Sequence, residues 1–523
     1  MKRILFIVIL VAIPLAVVSA TIAVLFPRLE ARARPLLLQH MANNLTAEER
    51  KAIYDRLAQG TEFWDVLPDP DVGGVGQRNR TVTHAGAEVH LNNVGMRARK
   101  PYGPKAAGTF RLVCLGDSFV FGMGGPEEDR FCDQLQTFYR SNGIQVGGRE
   151  IETYAVGLPS WTLVQSTTYL TARLSDFDPD VVVVLSVAND ISDNMGITGI
   201  GALTYNFSTE QRALGSSIFV SDLNRFYGDG GTRTALAWDV SPQSRARWDK
   251  AMLRLRRLAE AQTARGKRVL TCAMTWQGND QPDDYAKLFR ASYARSAVPA
   301  PMFFCTFLPS RRTTLPHDDH PSREGHRLLR DQYIHALHRL GWIAVPDTLL
   351  PPLDRRTPVR LDPNVSQSDY EGVRSRFLSN LRERVDFTNM QAADARALLG
   401  GILPHDYDVR RALEGAPWAS TNAALVLRRP AGGALRGVEA EIELPDRPEL
   451  FPFVLTLYLD GARAGELRVE RRNESGRYRV SGTPSAKAFH DDAVEVMLRT
   501  ESYYTTLDDT RMRSYRLLRV RAY

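Results

Sequence analysis

Ser118 closes the run FRLVCLGDS (110–118), where an apolar stretch stops at Gly-Asp-Ser and a glycine-rich segment follows. Ligands of open α/β sheets bind at the carboxyl ends of the strands. A serine held there on a turn faces a cleft, and Gly116 permits the turn. A serine is a poor nucleophile without a base. The segment LPHDDHPSREGH (315–326) offers one. His320 can take the Ser118 proton, and Asp318, two residues upstream, can orient the imidazole and stabilise its charged form. Asp319 is the neighbouring carboxylate and is expected to point to the other side. His326 falls in the start of the next helix and is read as structural. The bland alternative is that Asp117 and Ser118 merely cap a helical turn. On the tripeptide alone the two readings stand even.

Acyl transfer also needs donors aimed at a developing oxyanion. TYAVGLPS places Gly157 after a second apolar run, and VLSVANDISDN places Asn189 and Asp190 after a third. The Ser118 N–H, the Gly157 N–H and the Asn189 side-chain amide would then be three donors. Gly157 as a plain turn and Asn189-Asp190 as a helix cap are the bland readings. All these pieces, however, fall in order at one expected edge.

The elements that must hold them alternate in character. Apolar runs lie at 110–116, 149–157, 180–190, 267–275 and 301–307. Between them, Phe131, Leu135, Phe138 and Tyr139 mark one helix face, and further helices are predicted over 244–267 and 322–342. Unbroken apolar strands separated by helices predict a parallel sheet covered on both faces. Residues 191–243 are too long for a simple connection and are expected to form a lid or a wall of the site.

These residues give the chain a family resemblance. It resembles the SGNH/GDSL-type serine hydrolases, whose α/β fold is flavodoxin-like with a five-stranded parallel sheet. GDSF with Ser118 matches the family's nucleophile block, Gly157 its glycine block, AND with Asn189 its asparagine block, and DDHPSREGH with His320 its histidine block. The resemblance implies Ser118 as nucleophile, His320 as base, and Gly157 and Asn189 in the oxyanion hole. It covers roughly residues 108–342. Phe119 stands where leucine is commonest, and the usual glycine before the asparagine is absent. The carboxylate often found three residues before the histidine falls here on His317, so the Asp-x-His spacing selects Asp318. Esterases, lipases and carbohydrate acetyl-esterases or O-acetyltransferases all belong to this group. Acyl, and first of all acetyl, esters of an acylated carbohydrate or a lipid are therefore the expected substrates, with no cofactor.

The flanks set the layout. An uncharged apolar run from Ile4 to Phe26 would span roughly 34 Å as a helix, enough for a hydrocarbon core of about 30 Å. It is read as a transmembrane anchor or signal-anchor, with the catalytic body periplasmic or extracellular. A signal peptide cleaved after VSA (18–20) is the rival. Residues 27–107 are a membrane-proximal lead-in, with a helix expected over 46–60. The catalytic domain is placed at 108–345 and a linker with helices (367–385, 389–399) at 346–417. Alternation in short runs from 418 to 523, strict at 438–445, predicts an all-β sandwich, a candidate carbohydrate-binding module. Trp418, Tyr503 and Tyr504 could stack on sugars, with core packing the equal alternative. This layout resembles alginate O-acetyltransferase-like proteins.

Net charge is +7, but the cations are spread and no long basic run is interleaved with aromatics, so no nucleic-acid partner is expected. The four cysteines are read as buried free thiols. Two other classes remain open. The HDDH cluster with His326 could ligate a divalent metal in a metallohydrolase, or the domain could be a non-catalytic glycan-binding scaffold.

Overall fold

The computed structural model describes residues 64–66, 71–72, 74–84, 87–159, 161–192, 238–276, 282–316, 318–355, 357, 359–389, 397–403, 416–430, 434–484, 492–502 and 514–523. The helix expected over 46–60 and most of the expected lid (191–243) lie outside these residues.

Five parallel strands form the central sheet: β1 (Thr109–Gly116), β2 (Arg149–Gly157), β3 (Val181–Ser186), β4 (Arg268–Thr275) and β5 (Met302–Thr306). Their spatial order is β5-β4-β3-β1-β2, with a two-residue antiparallel strand, Gln145–Val146, at the β2 edge. This is the flavodoxin-like order, whose switch point lies between β1 and β3. A strand buried on both faces has no polar side to expose, and β3 (VVVVLS) is buried at every residue.

Helices cover both faces. Val113 and Leu115 of β1 face α2 (Leu163–Thr171), α3 (Pro242–Ala264) and α4 (Asp284–Arg295). Leu112 and Cys114 face α1 (Phe131–Ser141) and α5 (Arg323–Arg339). The period-2 alternation of a strand thus sends its residues into two cores.

The lead-in belongs to the first of these cores. Val72, Val75, Val89, Leu91, Met96 and Tyr102 are buried with α2 and α3. Trp161 Nε1 donates to the Gly74 carbonyl at 3.0 Å, and Gln165 Nε2 donates to Val72 at 3.0 Å. The folded unit around the sheet therefore starts well before residue 108.

Two expectations are corrected here. The four cysteines are paired, Cys114 with Cys132 and Cys272 with Cys305. Packing brings β1 onto α1 and sets β4 beside β5, so the Cα atoms stand 6.1 and 5.9 Å apart, within bridging reach. The localisation on a single N-terminal helix, with a periplasmic or extracellular body, is not supported. Among the described residues no helix is long and apolar enough to cross a membrane. The 23-residue α3 is the longest of them, and it carries arginines along an exposed face. The run 4–26 itself lies outside the described residues.

After the sheet, α6 (Gln367–Ser379) ends before the predicted 385, and Arg384–Asp386 is strand β7. Of the helix expected over 389–399, residues 398–399 open strand β8 (Leu398–Leu403), because Leu398 pairs with Leu425 and the strand runs on to pair Leu403 with Trp418. Further strands are β9 (Trp418–Arg428), β10 (Val438–Glu443), β11 (Phe453–Leu459), β12 (Ala462–Val469), β13 (Arg477–Gly482), β14 (Ala493–Arg499) and β15 (Tyr515–Ala522). The C-terminal region is β-rich as the alternation predicts, but among the described residues nine strands share one hydrogen-bonded sheet. Strand β9 pairs with β14 over Asn422–Arg428 and with β15 at Trp418 and Ala419, so one strand joins the two halves. The turn Asp460-Gly461 has both residues at positive φ, the hairpin geometry its sequence predicts.

Trp418 is 7% exposed, with the Arg516 guanidinium 4.7 Å from its ring centroid, so it packs the core and is not an exposed sugar platform. Tyr503 and Tyr504 lie outside the described residues.

Candidate active site

The turn that leaves β1 is built by short-range forces. Asp117 caps a four-residue helix, Ser118–Phe121, its carboxylate accepting from the Phe119 N–H at 3.0 Å. Gly122, at φ +74°, closes that helix in the left-handed conformation. Gly116 and Gly157 pair in register at the ends of β1 and β2. The cap reading is thus realised at Asp117, and Ser118 opens the helix that it caps.

His320 arrives from the far side of the sheet. It lies in β6 (Asp318–Pro321), which pairs antiparallel with Thr314–Leu315 just before α5. Ser322 caps α5, its hydroxyl accepting from the Gly325 N–H at 3.3 Å. The His320 Nε2 stands 2.7 Å from the Ser118 Oγ. With the ring proton on Nδ1, Nε2 accepts the serine hydroxyl. Ser118 itself is 5% exposed, so the bond is sheltered from bulk water.

Gly157 lies at the same edge, packed under the turn. Asn189 starts a short helix, Asn189–Ser192, after β3. The side chains of Asn189, Asp318 and Asp319 lie outside the described residues, as does His317. His326 is separate from this group. It is buried, stacked 6.3 Å from Phe131. Burial, followed by the charges of Arg130, His320 and Arg97, pushes its pKa down to about 3. Such a position disfavours any further positive charge. Among the described residues no three His, Cys, Asp or Glu side chains are grouped to hold a metal.

Two neighbours of the site, Trp276 and Phe307, were not singled out from sequence. Phe119 lies 5.1 Å from the His320 ring and meets Trp276 and Phe307 edge-on at 6.1 and 6.3 Å. Trp276 follows β4 and Phe307 follows β5. The only signal they leave is an aromatic residue at the carboxyl end of a strand. Asp190 is buried, its carboxylate accepting from the Val187 N–H at 2.8 Å. Burial, then the nearby charge of Asp117, holds its carboxyl well above the usual carboxylate range.

Residues 114–328 match the GDSL-like lipase/acylhydrolase family. The chain carries a serine ester hydrolase domain. The match covers under half of the 523 residues. Solved structures similar to the chain include the following three. A two-domain esterase (CEX) active on acetylated mannans, crystallised with mannopentaose, is 14% identical over 79% of this chain and 90% of its own, with a TM-score of 0.29. TesA is 14% identical over 44% of this chain and 99% of its own, with a TM-score of 0.28. Est24, a carbohydrate acetylesterase from Sinorhizobium meliloti, is 16% identical over 44% and 99%, with a TM-score of 0.27. At these scores the likenesses carry no argument about the hydrolase domain's substrate. No curated protein matches the chain.

Proposed function

We propose that this hydrolase domain is an acyl esterase in which Ser118 is the nucleophile and His320 the general base. The observation that carries the reading is the 2.7 Å approach of His320 Nε2 to Ser118 Oγ. As Oγ attacks the ester carbonyl, its proton passes to Nε2 and a tetrahedral oxyanion forms. Collapse expels the alcohol, which takes that proton, and leaves an acyl-serine. Water activated by the same imidazole then releases the acid and restores the serine. A second hydroxyl in place of water would make the reaction a transfer through the same intermediate. We assign the oxyanion donors to the Ser118 N–H, the Gly157 N–H and the Asn189 side chain, and the orienting carboxylate to Asp318.

The acyl group we assign is short, acetyl first. Support comes from the rings of Phe119, Phe307 and Trp276, which crowd the side of the site next to His320. The alcohol is assigned to a carbohydrate, with half-buried Trp276 as an aromatic face against which a sugar can rest.

The test is turnover of p-nitrophenyl acetate by the full chain and by Ser118→Ala, together with labelling by a fluorophosphonate. Activity and labelling should both vanish in the variant. Turnover that survives the substitution overturns the reading.

A further inference from the structure

Arg97 lies in the lead-in, outside the matched segment, yet its side chain ends at the nucleophile turn. It is fully buried, 1% exposed. Nη1 donates to the Phe121 carbonyl at 3.2 Å and to the Gly122 carbonyl, and Nη2 donates to the Gly125 carbonyl. Its guanidinium also lies 5.3 Å from the Phe121 ring centroid. One rigid, planar group thus holds three carbonyls of the segment that follows Ser118. These carbonyls include orphan acceptors at the end of the Ser118–Phe121 helix, where a cation is favoured.

Arg97 is itself held. Arg130, equally buried, donates from Nη1 to the Arg97 carbonyl at 2.7 Å, while its Nε donates to Asp133 at 2.7 Å and to the Glu127 carbonyl at 3.2 Å. Glu127 in turn accepts from the Arg99 N–H at 3.1 Å. A Cβ on Gly122 would run into the Arg130 side chain, so the two arginines and the glycine turn fit without slack. Burial, then the charge of Arg130, pushes the Arg97 pKa down to about 10, which leaves it charged at neutral pH. Two buried guanidinium groups side by side are costly unless each is fully hydrogen-bonded. This clamp is a poor choice for stability alone.

We propose that Arg97 is a positioning residue that locks the turn carrying Ser118 and so holds Oγ at the distance His320 requires. The proposal rests on Ser118 as nucleophile. Because a shift of about 1 Å in a reacting group can cost about 100-fold in rate, loosening this turn should appear in the chemical step.

The experiment compares the full-length parent with Arg97→Ala, Arg97→Lys and Arg254→Ala. Arg254, on α3, ties the other end of the lead-in to that helix through Asp71. Fluorophosphonate labelling rate, kcat and KM for p-nitrophenyl acetate, and the circular dichroism melt are read for each. Labelling of the parent but not of Ser118→Ala first secures the nucleophile, so failure of that reading is seen separately. Arg97→Ala should then lower kcat and labelling by about 10- to 100-fold at unchanged KM, Arg97→Lys should recover part of the loss, and Arg254→Ala should label at the parental rate. The proposal is overturned if folded Arg97→Ala labels as fast as the parent. It is overturned equally if Arg97→Ala and Arg97→Lys both fail to fold, which would make Arg97 a folding residue, or if Arg254→Ala slows labelling as much as Arg97→Ala.

Discussion

A Cβ placed on Gly157 would stand 2.8 Å from the carbonyl oxygen of Asp117 and 2.8 Å from the Cβ of Val120. The end of β2 therefore touches the turn that presents Ser118, backbone against backbone, and leaves no room for a side chain. Gly157→Ala must push that turn away from β2. Overpacking of this kind costs about 1–3 kcal/mol of stability. The same displacement should slow acylation by about 100-fold. Thermal melts and fluorophosphonate labelling check the two effects together, and parental labelling would refute the expectation.

Trp276 stands edge-on to both Phe119 and Phe307, at 6.1 and 5.4 Å. Its removal opens the crowded side of the site. Each methylene accommodated in an apolar pocket changes discrimination by roughly 1–3 kcal/mol. Trp276→Ala should raise kcat/KM for p-nitrophenyl butyrate relative to acetate by at least about 10-fold. An unchanged ratio would place the acyl group elsewhere.

The carboxyl of Asp190 is held well above its ordinary range by burial and then by Asp117. A group whose folded pKa is raised contributes stability that is complete below its unfolded value, about 4, and is lost as pH rises toward the folded value. Asp190→Asn keeps a neutral acceptor for the Val187 N–H and removes the titration. The variant should lose less stability than the parent as pH rises above about 5. Melting temperatures measured as the pH is raised check it, and parallel curves would count against a raised Asp190 pKa.

Asp180 shows the opposite sign at the opposite edge of the sheet. Burial alone would raise its pKa. The hydrogen bonds from Lys267 at 2.8 Å, the Arg111 N–H at 2.8 Å and Lys105 at 2.9 Å outweigh it and hold the carboxyl well below the usual range. Its contribution is present above about pH 4 and lost as pH falls through the folded value. Asp180→Asn should cost roughly 2–3 kcal/mol at neutral pH. Urea denaturation should show this gap shrinking below about pH 3.

Much of this architecture was legible in local pattern. The run predicted over 149–157 is strand β2 residue for residue, and the other four parallel strands agree to within a few residues at their ends. Their unbroken apolar character follows from burial on both faces, which needs no knowledge of partners. Asp460-Gly461 was readable as a hairpin turn for the same reason, since it acts on its immediate neighbours.

What the amino-acid sequence determined by itself is therefore the five strands of the central sheet, the helices α1, α3 and α5, and the placing of Ser118 and His320 at one sheet edge. Tertiary structure alone decided which atoms meet. Ser118 and His320 are 202 residues apart, and only closure of the sheet brings Oγ to Nε2. The pairing of Cys272 with Cys305 depends on β4 and β5 being neighbours. The grip of Arg97 on the Phe121, Gly122 and Gly125 carbonyls and the edge-on packing of Trp276 on Phe119 are likewise contacts between distant segments. A strand or a cap repeats a local geometry and leaves a period in the sequence. A side chain that crosses from one segment to another leaves none, because its partner is set by how the layers pack.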